Sequence, residues 1–126
     1  MKSFIVAVFI GVFMIVGCIL YMKEVEDVSD KLKNLNEEVI VFLENDDFEG
    51  AKQAHGRVES FLEEKLIMLA ATGNHEELDQ MQIYLSQVCE YIEERQKGDA
   101  LAFCESLDIM FKHLPKDYRL KAENIL

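Results

Sequence analysis

The sequence predicts an all-α protein: a single N-terminal transmembrane helix, then an antiparallel four-helix bundle (or two stacked helical hairpins) with a short C-terminal helix. Three observations carry this. Residues 4–22 hold no charged side chain, in a chain of 126 residues that is 29% Asp, Glu, Lys and Arg. Beyond them, apolar residues recur in steps of three and four, the period of one helix face. One Pro and six Gly leave little of the punctuation that strands and hairpins require.

The apolar run comes first. As a helix its 19 residues would span about 28 Å, close to the hydrocarbon thickness of a bilayer. Only Lys2 precedes it as a basic side chain, and no small-x-small cleavage site follows, which favours retention over removal as a signal peptide. Ile15-Val16-Gly17-Cys18 has the form of a bacterial lipobox and makes Cys18 a candidate for lipidation. Lipoproteins usually turn polar directly after that cysteine, whereas Ile19-Leu20-Tyr21-Met22 stays apolar. The spacing therefore favours an uncleaved span, with Cys18 as one of its apolar residues.

Residues 1–22 are thus expected to form the anchor, in contact with the lipid of a bacterial cytoplasmic membrane through residues 4–22. Residues 23–126 form an extracytoplasmic helical domain. Basic residues on the two flanks are nearly level, so orientation rests on length: a two-residue flank is easily held inside. The expected topology is single-pass, N-terminus in the cytoplasm and the C-terminal domain outside.

The domain beyond Met22 carries all 24 acidic residues and 12 of the 13 basic ones, a formal charge of −12. Such a surface argues against nucleic acid, whose binding depends on basic patches that release counterions. It suits a self-repelling soluble face or a docking face for a basic partner. Cys89 and Cys104 are the only possible intrachain pair outside the run; both fall on apolar stripes, where buried free thiols are ordinary and a bridge stays open.

The first amphipathic helix reads Val25, Val28, Leu32, Leu35, Val39, Phe42, a heptad-like seam that follows the apolar run without a breaker. Apolar run and seam thus suggest one continuous rod, ended near Asn45-Asp46-Asp47, which can cap the next helix. The second helix reads Phe48, Ala51, His55, Val58, Leu62, Leu66, Leu69 and stops at Thr72-Gly73-Asn74. Asn74 is the expected N-cap of the third, with Glu76 and Glu77 in its first turn and Leu78, Met81, Leu85, Val88, Ile92 as its stripe. Ile83, Tyr84 and Tyr91 widen that stripe, which implies a second neighbour.

The fourth helix opens at Lys97-Gly98-Asp99 and reads Leu101, Cys104, Leu107, Phe111, Leu114. Pro115 is expected to stop or redirect the chain, leaving residues 116–126 as a short terminal helix. Short links force successive helices antiparallel. The second and fourth helices open alike, each with a turn followed by small residues, Gly50-Ala51 and Gly98 to Ala100.

The segment Asn45-Asp46-Asp47-Phe48-Glu49-Gly50-Ala51-Lys52, then His113-Leu114-Pro115-Lys116-Asp117 and the ending Glu123-Asn124-Ile125-Leu126, resembles the DUF4363 family of small membrane-anchored proteins from Firmicutes. Phe48 stands where that pattern has tryptophan. The resemblance implies a membrane-tethered helical protein of unknown activity and carries over no functional residues.

Chemistry-bearing patterns are few. His55, His75 and His113 lie on separate segments; neither His-x-x-x-His nor Glu-x-x-His occurs, and His75 with Asp79 is the nearest approach to a ligand pair. His55 reads as a partly buried packing residue beside Gly56, a glycine that suggests close helix approach. Paired carboxylates such as Glu63-Glu64 and Glu93-Glu94 flank the seams and face water. No phosphate-binding loop, nucleophile elbow or Cys-x-x-Cys is present, so no catalytic residue, metal site or cofactor is expected.

The expected function is that of a non-enzymatic, membrane-anchored interaction module whose partner is a protein or a second copy. The alternative is a ligand-binding, sensor-like bundle acting with a separate output subunit. Lys112, Lys116, Arg119 and Lys121 form one locally basic stretch. An even number of helical strokes would return it to the membrane surface, where it could meet anionic lipid.

Overall fold

A computed structural model describes residues 1–71, 73 and 75–125, with side chains described through Lys116. Four helices follow in order: α1 (Lys2–Glu44), α2 (Phe48–Ala70), α3 (His75–Glu93) and α4 (Lys97–Ile125). Among the described residues each helix packs on two neighbours only, α1 on α2 and α4, α3 on α2 and α4. This is a square up-down bundle, as the short links predict. The expected cap at Asn74 lies outside the described residues.

α1 is one unbroken helix of 43 residues. Its first part is the apolar run, exposed along nearly its whole length, and from Val25 the same helix becomes a wall of the bundle. The continuous rod follows because no Pro or glycine interrupts residues 18–44 and the apolar seam starts directly after the run. Tyr21 and Met22, placed by sequence in the anchor, already pack against the core.

The buried side of α1 is wider than a heptad seam. Ser29, Asn36 and Leu43 are buried with Val25, Val28, Leu32 and Val39, while Leu35 and Phe42 are only half-buried. A helix with one partner hides one narrow seam; a helix at the corner of a square needs a stripe broad enough for two. On α3 the same cause accounts for Tyr84 and Tyr91, whereas Ile83, expected with them, stays exposed. Tyr84 meets Phe103 of α4 edge-on at 5.3 Å and Tyr91 stacks on it at 5.6 Å.

The α1–α2 and α3–α4 corners are alike. Asp46 and Arg95 both adopt φ of 58°, the left-handed conformation that ends a helix. In each corner the next amide reaches back to a carbonyl five residues earlier, Asp47 to Phe42 and Gln96 to Tyr91. Asp47 then caps α2, accepting from the Gly50 amide at 2.9 Å.

The likeness extends through both hairpins. The displacement that carries Asp46 onto Arg95 carries buried Leu32, Val39 and Leu43 onto Met81, Val88 and Ile92. It also carries Ala51, Val58 and Leu62 onto Ala100, Leu107 and Phe111, all buried. Two hairpins of one pattern make the bundle.

Pro115 does not end α4. The helix runs through it to Ile125, so the separate terminal helix expected from sequence is not formed. A proline inside a helix lacks the amide that would bond the carbonyl four residues back, here that of Phe111. Ser29 of α1 supplies the missing donor: its hydroxyl gives a hydrogen bond to the Phe111 carbonyl at 2.6 Å, fully buried. The helix continues because its neighbour repairs the ladder.

The glycine expectation is also corrected. A Cβ on Gly56 would meet nothing within 4 Å, so no close helix approach explains it. The tight contact is at Gly50, where a Cβ would stand 2.5 Å from the ring of Phe42. Gly50→Ala should therefore cost about 1–3 kcal/mol by overpacking. Gly56→Ala should gain about 1 kcal/mol from helix propensity. Urea unfolding of the full chain in mild detergent, followed by circular dichroism, measures both; equal effects would contradict this assignment.

Candidate functional site

Two features stand apart from plain apolar packing: two further buried polar links between the hairpins beside that of Ser29, and a groove along α1 and α2. Asn36 of α1 donates to the Cys104 carbonyl of α4 at 2.8 Å. His55 of α2 bonds the Leu85 carbonyl of α3, also at 2.8 Å. The displacement that relates the hairpins takes Asn36 to Leu85 and His55 to Cys104. The two links thus join equivalent pairs of positions, with the side-chain and carbonyl roles exchanged. Both fix the register of one hairpin on the other, since sliding would strand a buried polar side chain.

His55 is 1% exposed, more deeply buried than the partly buried packing residue expected. Because the Leu85 carbonyl can only accept, Nε2 carries a proton. The other nitrogen, Nδ1, is buried without a partner, as is Oδ1 of Asn36. Burial pushes the His55 pKa below its usual value, while the Leu85 bond and the Glu59 carboxylate, 3.3 Å from Nε2, push it back up.

A depressed histidine pKa means that the unfolded chain takes up a proton at higher pH than the folded one. Stability is then greatest above the ordinary histidine pKa of about 6.5 and falls as pH drops through it, levelling below the folded value. The full chain should melt at lower temperature at pH 5.5 than at pH 7.5. His55→Gln should flatten that part of the profile. An unchanged slope in the variant would remove His55 as its source.

The groove lies on the outer side of the α1–α2 pair. One hollow of about 470 Å³ is lined by Asn34, Glu37, Glu38, Val41, Phe42 and Arg57. A second, of about 500 Å³, adjoins it through Arg57 and includes Lys31, Leu35, Gly56 and Phe61. Arg57 bridges the helices by a 3.3 Å ion pair with Glu38. The missing side chain at Gly56 leaves the second hollow open. The lining is apolar along its floor and carries charges of both signs at its edges.

The residues singled out by sequence are scattered. Cys18 is a half-buried free thiol in the last turns of the apolar run. Cys89 and Cys104 are free thiols too; burial pushes Cys104 up to about 12, and burial with nearby Glu59 and Glu93 raises Cys89. His75, Asp79 and His113 are exposed. Among the described residues no three of His, Cys, Asp and Glu gather as a metal site.

Lys112 and Lys116 are exposed, one turn apart on α4. The Asn36–Cys104 and Ser29–Phe111 bonds show α4 running back towards the apolar run, so both lysines lie at that end of the bundle. The side chains of Arg119 and Lys121 lie outside the described residues. Sequence reasoning missed Ser29 and Asn36; the signal was there as polar residues on an apolar stripe, with Ser29 opposite the turn that Pro115 weakens.

Fold and site together define a class: a four-helix bundle carried on the extension of its own first helix, a helix long and apolar enough to cross a membrane. The chain belongs to the DUF4363 family, a domain of unknown function, whose model matches residues 19–125. No curated protein and no solved structure matches it.

Proposed function

We propose that the protein is a non-enzymatic, membrane-anchored module that holds its bundle at the outer face of the cytoplasmic membrane, N-terminus inside, and offers it to a protein partner. The observation that carries this is the continuity of α1. One helix supplies both the apolar run and a full wall of the bundle, so the bundle cannot swivel freely on a linker. The Tyr21 hydroxyl, donating to the Met68 carbonyl at 2.7 Å, fastens α2 to the top of the run. A rigid mount suits presentation of a fixed face more than movement.

The face best shaped for a partner is the α1–α2 groove. Its open Gly56 leaves room that the bundle itself does not fill. The basic pair Lys112 and Lys116 would steady the mount by meeting anionic headgroups, each worth about 1 kcal/mol near the surface.

Two measurements test this. A reporter fused after Leu126 should be active only in its extracytoplasmic form; activity of a cytoplasm-only reporter reverses the topology. A photocrosslinking residue at Gly56 should yield a defined protein adduct in intact membranes, while one at Ile83, exposed on α3, should not. Equal yields at the two positions would remove the groove as the partner face.

A further inference from the structure

The three corners of the bundle differ in chemistry. Asn45-Asp46-Asp47 and Glu94-Arg95-Gln96, at the end away from the apolar run, are charged. The α2–α3 corner, at the other end, has no charged residue from Leu66 to Asn74. Its last helical turn leaves Ile67 86% exposed, the most exposed large apolar side chain among the described residues outside 1–22. Beside it Met68 and Ala70 are half-buried and Ala71 is exposed.

Two contacts set the level of this corner against α1. Lys65 pairs with Glu24 at 3.7 Å, and the Met68 carbonyl takes the Tyr21 hydroxyl. α2 runs antiparallel to α1, so three residues past Met68 it has descended about 5 Å below Tyr21, towards Cys18. The half-burial of Cys18 fits a neighbour at that height.

Length then decides where that height falls. The apolar run of residues 4–22 is about 28 Å long as a helix, against a hydrocarbon layer of about 30 Å. It has nothing to spare, so a spanning run keeps Tyr21 at the edge of the hydrocarbon and cannot be drawn outwards to keep the corner in water.

We propose that the α2–α3 corner, through Ile67, Met68, Ala70 and Ala71, is a second lipid-contacting element, seated at the boundary between headgroups and acyl chains beside the span. This rests on the reading of residues 4–22 as a span and adds a separate contact to it. The occupant is lipid because the patch lies at the depth of the end of the lipid-facing run, set by the Tyr21–Met68 and Glu24–Lys65 contacts, and is uncharged where the other corners are charged. With the rod and the corner both engaged, the bundle is fixed in tilt as well as in height.

The chain contains no tryptophan, so a single introduced one reports alone. The full chain is reconstituted in phosphatidylcholine vesicles carrying bromines at shallow or deep acyl positions. Ile67→Trp is compared with Phe9→Trp in the run and Val41→Trp near the far corner, where the native side chain is 47% exposed. The expected result is blue-shifted emission from Ile67→Trp with loss of intensity in shallow-brominated lipid. Phe9→Trp should respond to deep bromines, and Val41→Trp only to aqueous iodide.

If Phe9→Trp is quenched by lipid and Ile67→Trp behaves like Val41→Trp, the corner is in water: the inference falls and the span stands. If Ile67→Trp is shielded from both lipid bromine and iodide, a protein covers the corner, which also overturns it. Absence of lipid quenching at Phe9→Trp overturns the span and the inference together.

Discussion

Truncating Leu32, Leu62 or Leu107 to alanine is expected to cost about 2–5 kcal/mol each, from lost transfer energy and the cavity left behind. These leucines come from α1, α2 and α4 and are at most 1% exposed within the one shared core. Leu85→Ala on α3, where the side chain keeps 4% exposure, should fall towards the lower end. Urea unfolding of the full chain in mild detergent provides the measurement. Ile83→Ala and Ile109→Ala, at exposed sites, serve as controls and should stay within about 0.5 kcal/mol. Near-zero effects at all four leucines would mean that the stripes do not pack as one bundle.

Those leucines were legible in the sequence because a buried helix face leaves a periodic trace. Leu32, Leu62, Leu85 and Leu107 each sit in a run of threes and fours, and short links between the runs leave little choice but antiparallel neighbours. What periodicity could not convey was width. Ser29 and Asn36 break an apolar seam when read along α1, yet both are buried, because α4 closes over them and provides carbonyls as partners. That partnership depends on residues 82 and 68 positions away, beyond any local window.

Gly56 shows the opposite failure. A glycine in a helix implies a close neighbour only if something approaches its Cα, and here the near approach is at Gly50, six residues earlier. The candidate surface was less legible than the fold. The groove depends on side chains from α1 and α2 that mean nothing separately: Arg57 reads as an ordinary exposed cation until it is seen spanning to Glu38. The corner at Ile67 was not singled out in the sequence, and its level beside Tyr21 came only from the fold.

The Ser29–Pro115 arrangement yields a sharper expectation than any single truncation. In the native chain the Phe111 carbonyl takes the Ser29 hydroxyl, and Pro115 offers it no amide. Ser29→Ala leaves that carbonyl buried and unpaired, at an expected cost of about 1–3 kcal/mol. Pro115→Ala returns an amide to the helix ladder, so in that background the carbonyl keeps a partner when the hydroxyl is removed. Ser29→Ala should then cost less by about 1 kcal/mol or more, a coupling that a double-mutant cycle reads directly. Asn36→Ala is the control: the Cys104 carbonyl lies within unbroken helix and keeps its amide from Asp108, so its cost should not depend on residue 115. If Ser29→Ala costs the same with and without the proline, the two residues act separately. The passage of α4 through Pro115 would then need another explanation.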